Sequence, residues 1–187
     1  LIYKIVDIFK NKKINILDIG TGSGCILLSL LKELYNSRGM GIDISSRAIQ
    51  TARINSKNLN LVNRAKFKNF DLDRYNLGRY DLIVSNPPYI PSKDIRKLSK
   101  DIINFEPKKA LDGGLDGLDL IKKVIYKSNI LLKRNGALAL EIGFGQYRKV
   151  SEILKYYKFR EYSKIYDYSS NVRCIISTKI DFFKIKR

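Results

Sequence analysis

Two prolines follow an asparagine in the stretch SNPPY, residues 85–89, directly after an apolar run that predicts a strand. Proline fixes φ and has no backbone N–H, and the residue before a proline is confined to extended conformations. Asn86 therefore lies on a stiff backbone, with its side-chain amide aimed in one direction. An ordinary turn is the commonest use of such a sequence. The alternative is an amide held in place for chemistry that depends on positioned hydrogen bonds.

A second candidate site is the glycine-rich stretch LDIGTGSGC, residues 17–25, between a predicted strand and a predicted helix. Gly20, Gly22 and Gly24 allow a tight bend and a close approach to a ligand. The helix start beyond them offers unpaired N–H groups. Asp43 ends the next predicted strand, where a carboxylate can accept hydrogen bonds from the two hydroxyls of a ribose. In this strand-to-helix context, the pattern predicts a nucleoside-binding site.

The spacing of the glycines narrows the choice of nucleoside. The loop reads G-x-G-x-G, which differs from the dinucleotide pattern, and it has no lysine for phosphates, so a P-loop is excluded. Asp71 or Leu72, just after the third predicted strand, would lie near the adenine. An adenosine ligand without a pyrophosphate indicates S-adenosylmethionine.

These motifs lie on alternating β-branched and amphipathic runs. Strands are predicted over residues 14–19, 38–43, 65–70, 80–85, 136–142, 159–167 and 172–178, and helices over 1–9, 25–34, 45–59, 119–132 and 146–157. This order predicts a doubly wound α/β sheet. Only the short turn YSSN joins the last two strands, so one of them runs antiparallel to its neighbour. Residues 90–118 interrupt this alternation of strands and helices. Loops of that length are usually functional or partly structured.

Two finer expectations concern the helices. Ser45 or Ser46 is expected to cap the helix over residues 45–59. The apolar face of the helix over residues 119–132 is expected to contain Ile121, Val124, Ile125 and Ile130.

The composition limits the possible functions. The chain has 187 residues, 44% of them hydrophobic, which suits one globular domain, and no apolar run is long enough for a membrane span. The sequence has no histidine, which removes the usual general base, excludes Ser-His-Asp and Cys-His catalysis and argues against a zinc enzyme. Cys25 and Cys174 lack metal-ligand spacing and are expected to be buried thiols in a reducing, cytoplasmic compartment.

The net charge of +18 has two interpretations. It fits a surface that binds nucleic acid. It also fits the codon bias of an AT-rich genome, because Lys, Ile, Asn and Tyr are all abundant, and the scattered placement of the charges favours this interpretation. The chain begins with Leu1 rather than Met, so it is expected to be a fragment or domain of a longer protein.

Five stretches, taken in order, resemble the HemK/PrmC family: ILDIGTGSGC, GIDIS, SNPPYI, FEPKKALDGGLDGLD and LEIGFGQ. Members of this family methylate the glutamine side chain of the Gly-Gly-Gln (GGQ) motif in peptide chain release factors. The resemblance spans residues 15–176; NPPY is shared with N6-adenine methyltransferases, whereas FEPKKALDGG is more specific to the release-factor enzymes. It implies the class I S-adenosylmethionine-dependent methyltransferase fold, a Rossmann-like, seven-stranded, mostly parallel sheet whose last strand is antiparallel.

The resemblance also implies residue roles. The residues that hold S-adenosylmethionine would be Gly20, Thr21, Gly22, Ser23, Gly24, Asp43, Asp71, Leu72 and Asn86. The catalytic residues would be Asn86 and Pro87, and the substrate amide would be bound by Asn86, Pro87, Pro88 and Tyr89, without a metal. The expected partner of this monomer is the GGQ loop of a release factor, with no membrane contact and with direct nucleic-acid binding not favoured.

Family members carry a small helical N-terminal domain that helps to hold the release factor. By resemblance, residues 1–13 are a remnant of that region or a linker, residues 14–180 are the methyltransferase catalytic domain and residues 181–187 are a basic tail.

Methyl transfer to a glutamine amide would explain the stiff SNPPY turn. A glutamine amide nitrogen is a poor nucleophile, because its lone pair is delocalised into the carbonyl, and no side-chain base deprotonates it near neutral pH. The Asn86 side-chain oxygen and the Pro87 carbonyl would accept its two hydrogens and direct the lone pair toward the methyl carbon. Tyr89 would pack on the flat amide and exclude water, and the positively charged sulfur would supply the electrophile.

Other polar residues keep two interpretations each. Asp18 orients the glycine loop or the methionine amine, or is purely structural; Glu141 orients the site or is a solvated edge carboxylate. Glu106 and Pro107 shape the substrate pocket, or form a cap or turn. A group of C-terminal tyrosines could stack on bases, although packing against the core or a sheet face is favoured. They are Tyr156, Tyr157, Tyr162, Tyr166 and Tyr168.

Two other functions stay open. An N6-adenine methyltransferase acting on DNA or RNA would hold an exocyclic amine with the same NPPY residues, and the positive charge favours it. Against it stand FEPKKALDGG and the lack of a recognisable target-recognition domain. The other is a non-catalytic module that binds the cofactor, against which the intact glycine loop and NPPY motif argue.

Overall fold

The computed structural model describes residues 1–98 and 107–179, in which seven strands form one sheet. The strands are β1 (Asn15–Ile19), β2 (Arg38–Asp43), β3 (Ala65–Asn69), β4 (Tyr80–Ser85), β5 (Leu132–Glu141), β6 (Phe159–Tyr166) and β7 (Val172–Lys179). Their order across the sheet is β3-β2-β1-β4-β5-β7-β6. Strands β1 to β5 are parallel, and β7 pairs antiparallel with both β5 and β6. The predicted fold class is therefore confirmed.

Six helices lie in the described residues. They are α1 (Ile2–Phe9), α2 (Cys25–Glu33), α3 (Ser46–Asn58), α4 (Lys108–Leu111), α5 (Asp119–Leu131) and α6 (Tyr147–Tyr156). Ser45 caps α3 as predicted, because its Oγ accepts a hydrogen bond of 3.2 Å from the Ala48 N–H. The largest shift from the expected bounds is in β5, which begins at Leu132; its register against β4 then shifts, with Asn135 at a φ of 57°.

The central strands are buried on both faces, as parallel strands usually are. In β4, Leu82 and Val84 join the apolar core that contains α1, α2 and α3, whereas Ile83 joins the core that contains α5 and α6. In α5, the expected apolar face is buried except for Ile130, which is 36% exposed. That assignment was wrong because Ile130 lies well off the helical face on which Ile121 lies.

The long stretch between β4 and α5 is partly structured, as expected. Residues 95–97 form a 3-10 turn, α4 follows, and Ile90 forms a parallel bridge with Asp112. The Ile90 N–H donates to the Leu111 carbonyl (3.1 Å), and the Gly113 N–H donates to the Ile90 carbonyl (2.8 Å). Backbone pairing thus joins the segment after Tyr89 to the segment before α5. Glu106 lies outside the described residues.

The two cysteines differ in exposure. Cys174 is buried, as expected, but Cys25 is exposed, so the expectation was wrong for Cys25. The physical reason is its position: Cys25 is the first residue of α2 and directly follows the glycine loop at the edge of the sheet. Across residues 1–98 and 107–179, no helix has the length and apolar character needed to cross a membrane.

A buried lysine fixes the loop between β3 and β4. Lys127, on α5, is 6% exposed. Its Nζ donates to the carbonyls of Asp73 (2.8 Å) and Tyr75 (3.3 Å) and to the side-chain oxygen of Asn76 (3.0 Å). Burial of the ammonium group is tolerated because each of its hydrogens has an acceptor. Lys127 therefore ties α5 to the loop that follows β3.

Lys127→Met should lower the free energy of unfolding by about 1–3 kcal/mol, because it leaves buried acceptors without a donor. Urea denaturation at neutral pH measures the effect. The matched control is Lys32→Met at an exposed position of α2, for which we expect a change within about 0.5 kcal/mol. Equal losses in the two variants would show that the contacts of Lys127 add no stability of their own.

Candidate functional site

The register of the parallel strands brings the candidate residues to one edge of the sheet. Ile19, at the end of β1, pairs with Ile42 of β2 and with Ser85 of β4. The residues that follow these paired positions are Gly20, Asp43 and Asn86. In doubly wound sheets, ligands bind outside the carboxyl ends of the strands where the strand order reverses, which here is between β1 and β4. The three motifs therefore border one crevice.

The glycine loop and Asp43 form an open cradle. Gly20, Gly22 and Gly24 have φ values of 69°, 56° and 82°, which L side chains rarely adopt. The Gly22 N–H donates to Asp43 Oδ2 (2.9 Å), and the Ser45 N–H donates to Asp43 Oδ1 (2.8 Å). A Cβ added at Gly20 or Gly22 would meet no atom within 4 Å. Each Asp43 oxygen keeps a further lone pair for a ligand hydroxyl.

A buried carboxyl lies beneath this loop. Asp18, in β1, is 1% exposed, and its Oδ2 accepts a hydrogen bond of 2.7 Å from Thr21 Oγ1. Its Oδ1 is buried without a hydrogen-bond partner among the described residues. Burial raises the pKa of Asp18 from 3.8 to about 6, and the Thr21 hydrogen bond opposes that rise. The free oxygen suits a ligand ammonium group, because a buried acceptor gains most from a charged donor. Ser23, the other non-glycine residue of the loop, is exposed.

The two residues proposed for the adenine differ in their availability. Asp71 is exposed and accepts a hydrogen bond of 2.8 Å from the Asp73 N–H, which caps a short 3-10 turn over residues 72–74. Leu72 is 8% exposed and belongs to the core on the side of α5 and α6. The contact of these two residues with adenine stays a prediction.

The double-proline turn exposes the amide and buries the backbone behind it. Asn86 is exposed, Pro87 is buried and Pro88 is half-buried. At the start of the turn, the Ser85 hydroxyl donates to the Ile19 carbonyl (2.8 Å), which fixes the end of β4 against β1. Asn86 therefore follows the strand beside β1 with an exposed side chain on a supported backbone, and its role in the site stays a prediction.

Tyr89 is held at its backbone and at its ring. Its carbonyl accepts a hydrogen bond of 2.9 Å from Gln146 Nε2. Its hydroxyl accepts one of 3.2 Å from Arg173 Nη2, and the guanidinium lies 5.5 Å from the ring centroid. The ring is thus held by Arg173, and its packing on a substrate amide stays a prediction.

Gln146 is a residue to which the sequence analysis gave no role. It precedes α6 and is 8% exposed. Besides its bond to Tyr89, its Nε2 donates to the Gly117 carbonyl (3.1 Å), and its Oε1 accepts from the Gly143 N–H (2.8 Å). One side chain thus joins three loops. The available signal was GFGQ, placed between a strand and a helix within the LEIGFGQ stretch.

Two positions around the turn require glycine, because atoms of the turn lie too close to leave room for a Cβ. A Cβ at Gly113 would lie 2.9 Å from the Pro88 carbonyl oxygen, and one at Gly143 would lie 2.9 Å from Tyr89 Cδ2. These distances are shorter than real Cβ contacts allow. The glycines therefore let neighbouring loops pack directly on the SNPPY turn.

The remaining candidate residues differ in their exposure. Glu141 is half-buried, and burial raises its pKa while the Arg173 charge opposes the rise. Pro107 is exposed, and its carbonyl accepts from the Ala110 N–H (2.7 Å), as in a turn. Packing was the favoured interpretation of the C-terminal tyrosines, but most are exposed: Tyr156 (76%), Tyr162 (59%), Tyr166 (56%) and Tyr168 (111%). Within the described ranges, no group of three or more His, Cys, Asp or Glu residues could hold a metal.

Solved methyltransferases share this fold. A SAM-dependent methyltransferase from Aquifex aeolicus matches with a TM-score of 0.66 at 15% identity, covering 96% of this chain and 89% of that one. A methyltransferase from Pyrococcus furiosus matches with a TM-score of 0.68 at 16% identity, covering 95% and 80%. The strand order, the glycine loop and the crevice between β1 and β4 define a class I methyltransferase domain.

Sequence comparison gives the family. The methyltransferase small domain family matches residues 4–157. The release factor glutamine methyltransferase of Rhodospirillum rubrum is 44% identical over 164 residues, covering 88% of this chain and 50% of the relative. That of Fusobacterium nucleatum is 41% identical over 170 residues, covering 88% and 47%. The chain thus spans about half the length of these curated relatives. It belongs to the methyltransferase small domain family, and the resemblance carried by its motifs is confirmed.

The raised pKa of Asp18 should make stability depend on pH. The folded chain holds a proton on Asp18 up to about pH 6, whereas the unfolded chain releases it near 3.8. The stabilising contribution of this proton is therefore complete below pH 3.8 and is lost as the pH rises through about 6. Relative to Asp18→Asn, which has no proton to lose at this position, the wild type should lose about 3 kcal/mol of unfolding free energy across this interval.

Urea unfolding of the wild type and Asp18→Asn at several pH values across the interval measures this loss. The difference between the two proteins cancels the titration of the other carboxyls. A difference that is constant with pH would contradict a raised pKa at Asp18.

Proposed function

We propose that this chain is the catalytic part of an enzyme that methylates peptide chain release factors. The methyl group would pass from S-adenosylmethionine to the side-chain amide nitrogen of the glutamine in the GGQ motif. The observation that carries the proposal is the exposed Asn86 on its double-proline turn, beside the glycine-loop crevice. Relatives named release factor glutamine methyltransferase, at 44% and 41% identity, support the choice of substrate.

The groups around the crevice fit S-adenosylmethionine. The Asp43 carboxylate would accept from the ribose hydroxyls, and the unpartnered Asp18 oxygen from the amino group of the methionine part. The loop of residues 20–24 leaves open space above its backbone, and Asp71 and the Leu72 backbone would contact the adenine. When bound, this cofactor supplies a methyl group on a positively charged sulfur, an electrophile that needs no metal.

The turn residues would orient the substrate amide. The Asn86 side-chain oxygen and the Pro87 carbonyl each accept one N–H of the amide, so the nitrogen lone pair points toward the crevice. The Pro88 ring keeps this backbone stiff. The Tyr89 ring, held by Arg173, covers the flat face of the amide and keeps water from it. We also assign Asn86 to the cofactor site, because it follows Ser85, which pairs with Ile19 just before the glycine loop.

The proposal extends to partner and location. The partner is a release factor, which the chain meets as a monomer in the cytoplasm. We assign catalysis to residues 14–180 and treat residues 181–187, which lie outside the described ranges, as a basic tail. In α1, Ile5 is fully buried in the core that contains α2 and α3, so residues 1–13, a remnant or linker by resemblance, pack against the catalytic domain.

One experiment tests the proposal against its main alternative. The purified chain is incubated with labelled S-adenosylmethionine and, in parallel, with release factor, DNA or RNA. We expect label in the GGQ-containing peptide of the release factor and only a modest loss of rate from low to physiological salt. Label in nucleic acid with a steep salt dependence would instead support an N6-adenine methyltransferase. Label in none of the substrates despite cofactor binding would support the non-catalytic module.

Asp43→Ala should weaken cofactor binding by about 1–3 kcal/mol, because it removes acceptors for ligand hydroxyls and the acceptor for the Gly22 N–H. Calorimetric titration with the cofactor measures this loss. Asp43→Asn keeps one oxygen acceptor and should lose less affinity. Asp7→Ala, at an exposed position of α1, is the matched control. Unchanged affinity in Asp43→Ala would remove Asp43 from the site.

Asn86→Ala should lower the rate of methyl transfer by about 10²–10³-fold while cofactor binding stays largely intact, because the lost acceptor acts on the reacting amide. Asn86→Asp keeps an acceptor but adds a charge near the sulfonium, so we expect partial activity. The measurement is single-turnover methylation of release factor at saturating cofactor. If Asn86→Ala keeps more than about a tenth of the wild-type rate, the loss is below roughly 1.4 kcal/mol and Asn86 is only a turn residue.

A further inference from the structure

The SNPPY turn is stiff, because two adjacent prolines fix its internal φ angles. One end is fixed by β4 and the Ser85 hydrogen bond. The other end is Tyr89, followed by Ile90, whose backbone pairs with residues 111–113. That pairing joins the turn to another loop. Arg173, on β7, holds the Tyr89 hydroxyl, so the position of the Tyr89 backbone depends on what else holds these two segments to the sheet.

Gln146 ties both loops to the sheet with a single side chain. Its Nε2 donates to the carbonyl of Tyr89, in the turn, and to the carbonyl of Gly117, in the loop before α5. Its Oε1 accepts from the N–H of Gly143, which lies just beyond β5. Because β5 is paired on both sides, this third contact is a fixed reference point.

The Gln146 amide has only one orientation that satisfies its neighbours. Rotating it by half a turn would place Oε1 against the carbonyls of Tyr89 and Gly117 and set the NH2 group against the N–H of Gly143. At 8% exposure, water offers little compensation for such mismatches. A fully satisfied buried amide of this kind specifies one local arrangement.

We propose that Gln146 is a positioning residue for methyl transfer: by fixing the Tyr89 carbonyl, it sets where Asn86 and Pro87 hold the substrate amide. This inference rests on the proposed function. Gln146 acts through the turn and follows β5, which β4 separates from β1 and its glycine loop. Its effect should therefore fall on the rate of transfer rather than on the affinity for the cofactor.

Gln146→Leu tests this role, since leucine fills a similar volume without hydrogen bonds. We expect kcat to fall by about 30–100-fold, the loss typical of a reacting group displaced by about 1 Å. The KM and Kd for the cofactor should stay within about threefold, because Asp43 and the glycine loop are untouched. Hydrogen exchange at Ile90 should accelerate, because its backbone hydrogen bond to residue 111 loses the support of the Gln146 contacts to the two neighbouring carbonyls.

Two controls separate positioning from a general loss of stability. Gln50→Leu makes the same substitution at the only other glutamine, on the exposed face of α3. Ser37→Ala removes a buried hydroxyl that bonds the Ile14 N–H and the Lys12 carbonyl at the opposite edge of the sheet. Both should keep kcat within about twofold of the wild type, even though Ser37→Ala lowers stability by about 1–3 kcal/mol. If Gln146→Leu does not fold, Gln146→Glu, which keeps the Gly143 acceptor and loses both donors, takes its place.

The outcomes are distinguishable. A Gln146 variant with kcat within about threefold of the wild type would overturn the inference and leave the proposed function standing. A parallel loss of cofactor affinity would also overturn it, because the role would then be structural. If the wild type methylates no release factor, the proposed function fails. Hydrogen exchange then tests separately whether Gln146 fixes the Tyr89 backbone. Faster exchange at Ile90 in the Gln146 variant, but not in Ser37→Ala, would support the role of Gln146 in fixing the turn. Unchanged exchange would contradict that role.

Discussion

The pairing of Ile19 with Ile42 and Ser85 is the constraint on which the site depends. It aligns the ends of β1, β2 and β4, so the glycine loop, Asp43 and Asn86 begin side by side. A slip of one residue would reverse the faces of a strand, and both faces of β4 are buried in separate apolar cores. The packing of the core therefore fixes the relative positions of polar groups that never touch the core.

Local signals explain why much of this arrangement is predictable from the sequence. Strand ends, the glycine loop and the Ser45 cap each depend on residues close together in the chain, where periodicity and turn chemistry act. The positions of Asp43 and Asn86 in the sheet were predictable because Asp43 ends, and Asn86 follows, a strand that the sequence pattern reveals. That one of the last two strands runs antiparallel to its neighbour followed from a connection too short for a crossover, and the structure shows that this strand is β7.

Other features depend on contacts between residues distant in sequence, which no local pattern encodes. Gln146 bonds Tyr89 across 57 positions, and Lys127 bonds Tyr75 across 52. The exposure of Tyr162 and Tyr166 follows from the position of β6 at the edge of the sheet, which only the strand order gives. The exposure of Cys25 was predicted wrongly for a similar reason. The prediction used the usual burial of cysteine in proteins, which does not take into account that Cys25 starts a helix beside the crevice.

The strand order also has a consequence for the order in which the protein acquires its parts during synthesis. The first three strands in sequence, β3-β2-β1, are neighbours, so the half that contains the glycine loop and Asp43 can assemble before β4 leaves the ribosome. Until then, the backbone N–H and C=O groups on one side of β1 are unpaired and could bond to another polypeptide chain. When β4 occupies that edge, it also delivers the SNPPY turn to the site. The step that removes an aggregation hazard is therefore the step that completes the crevice.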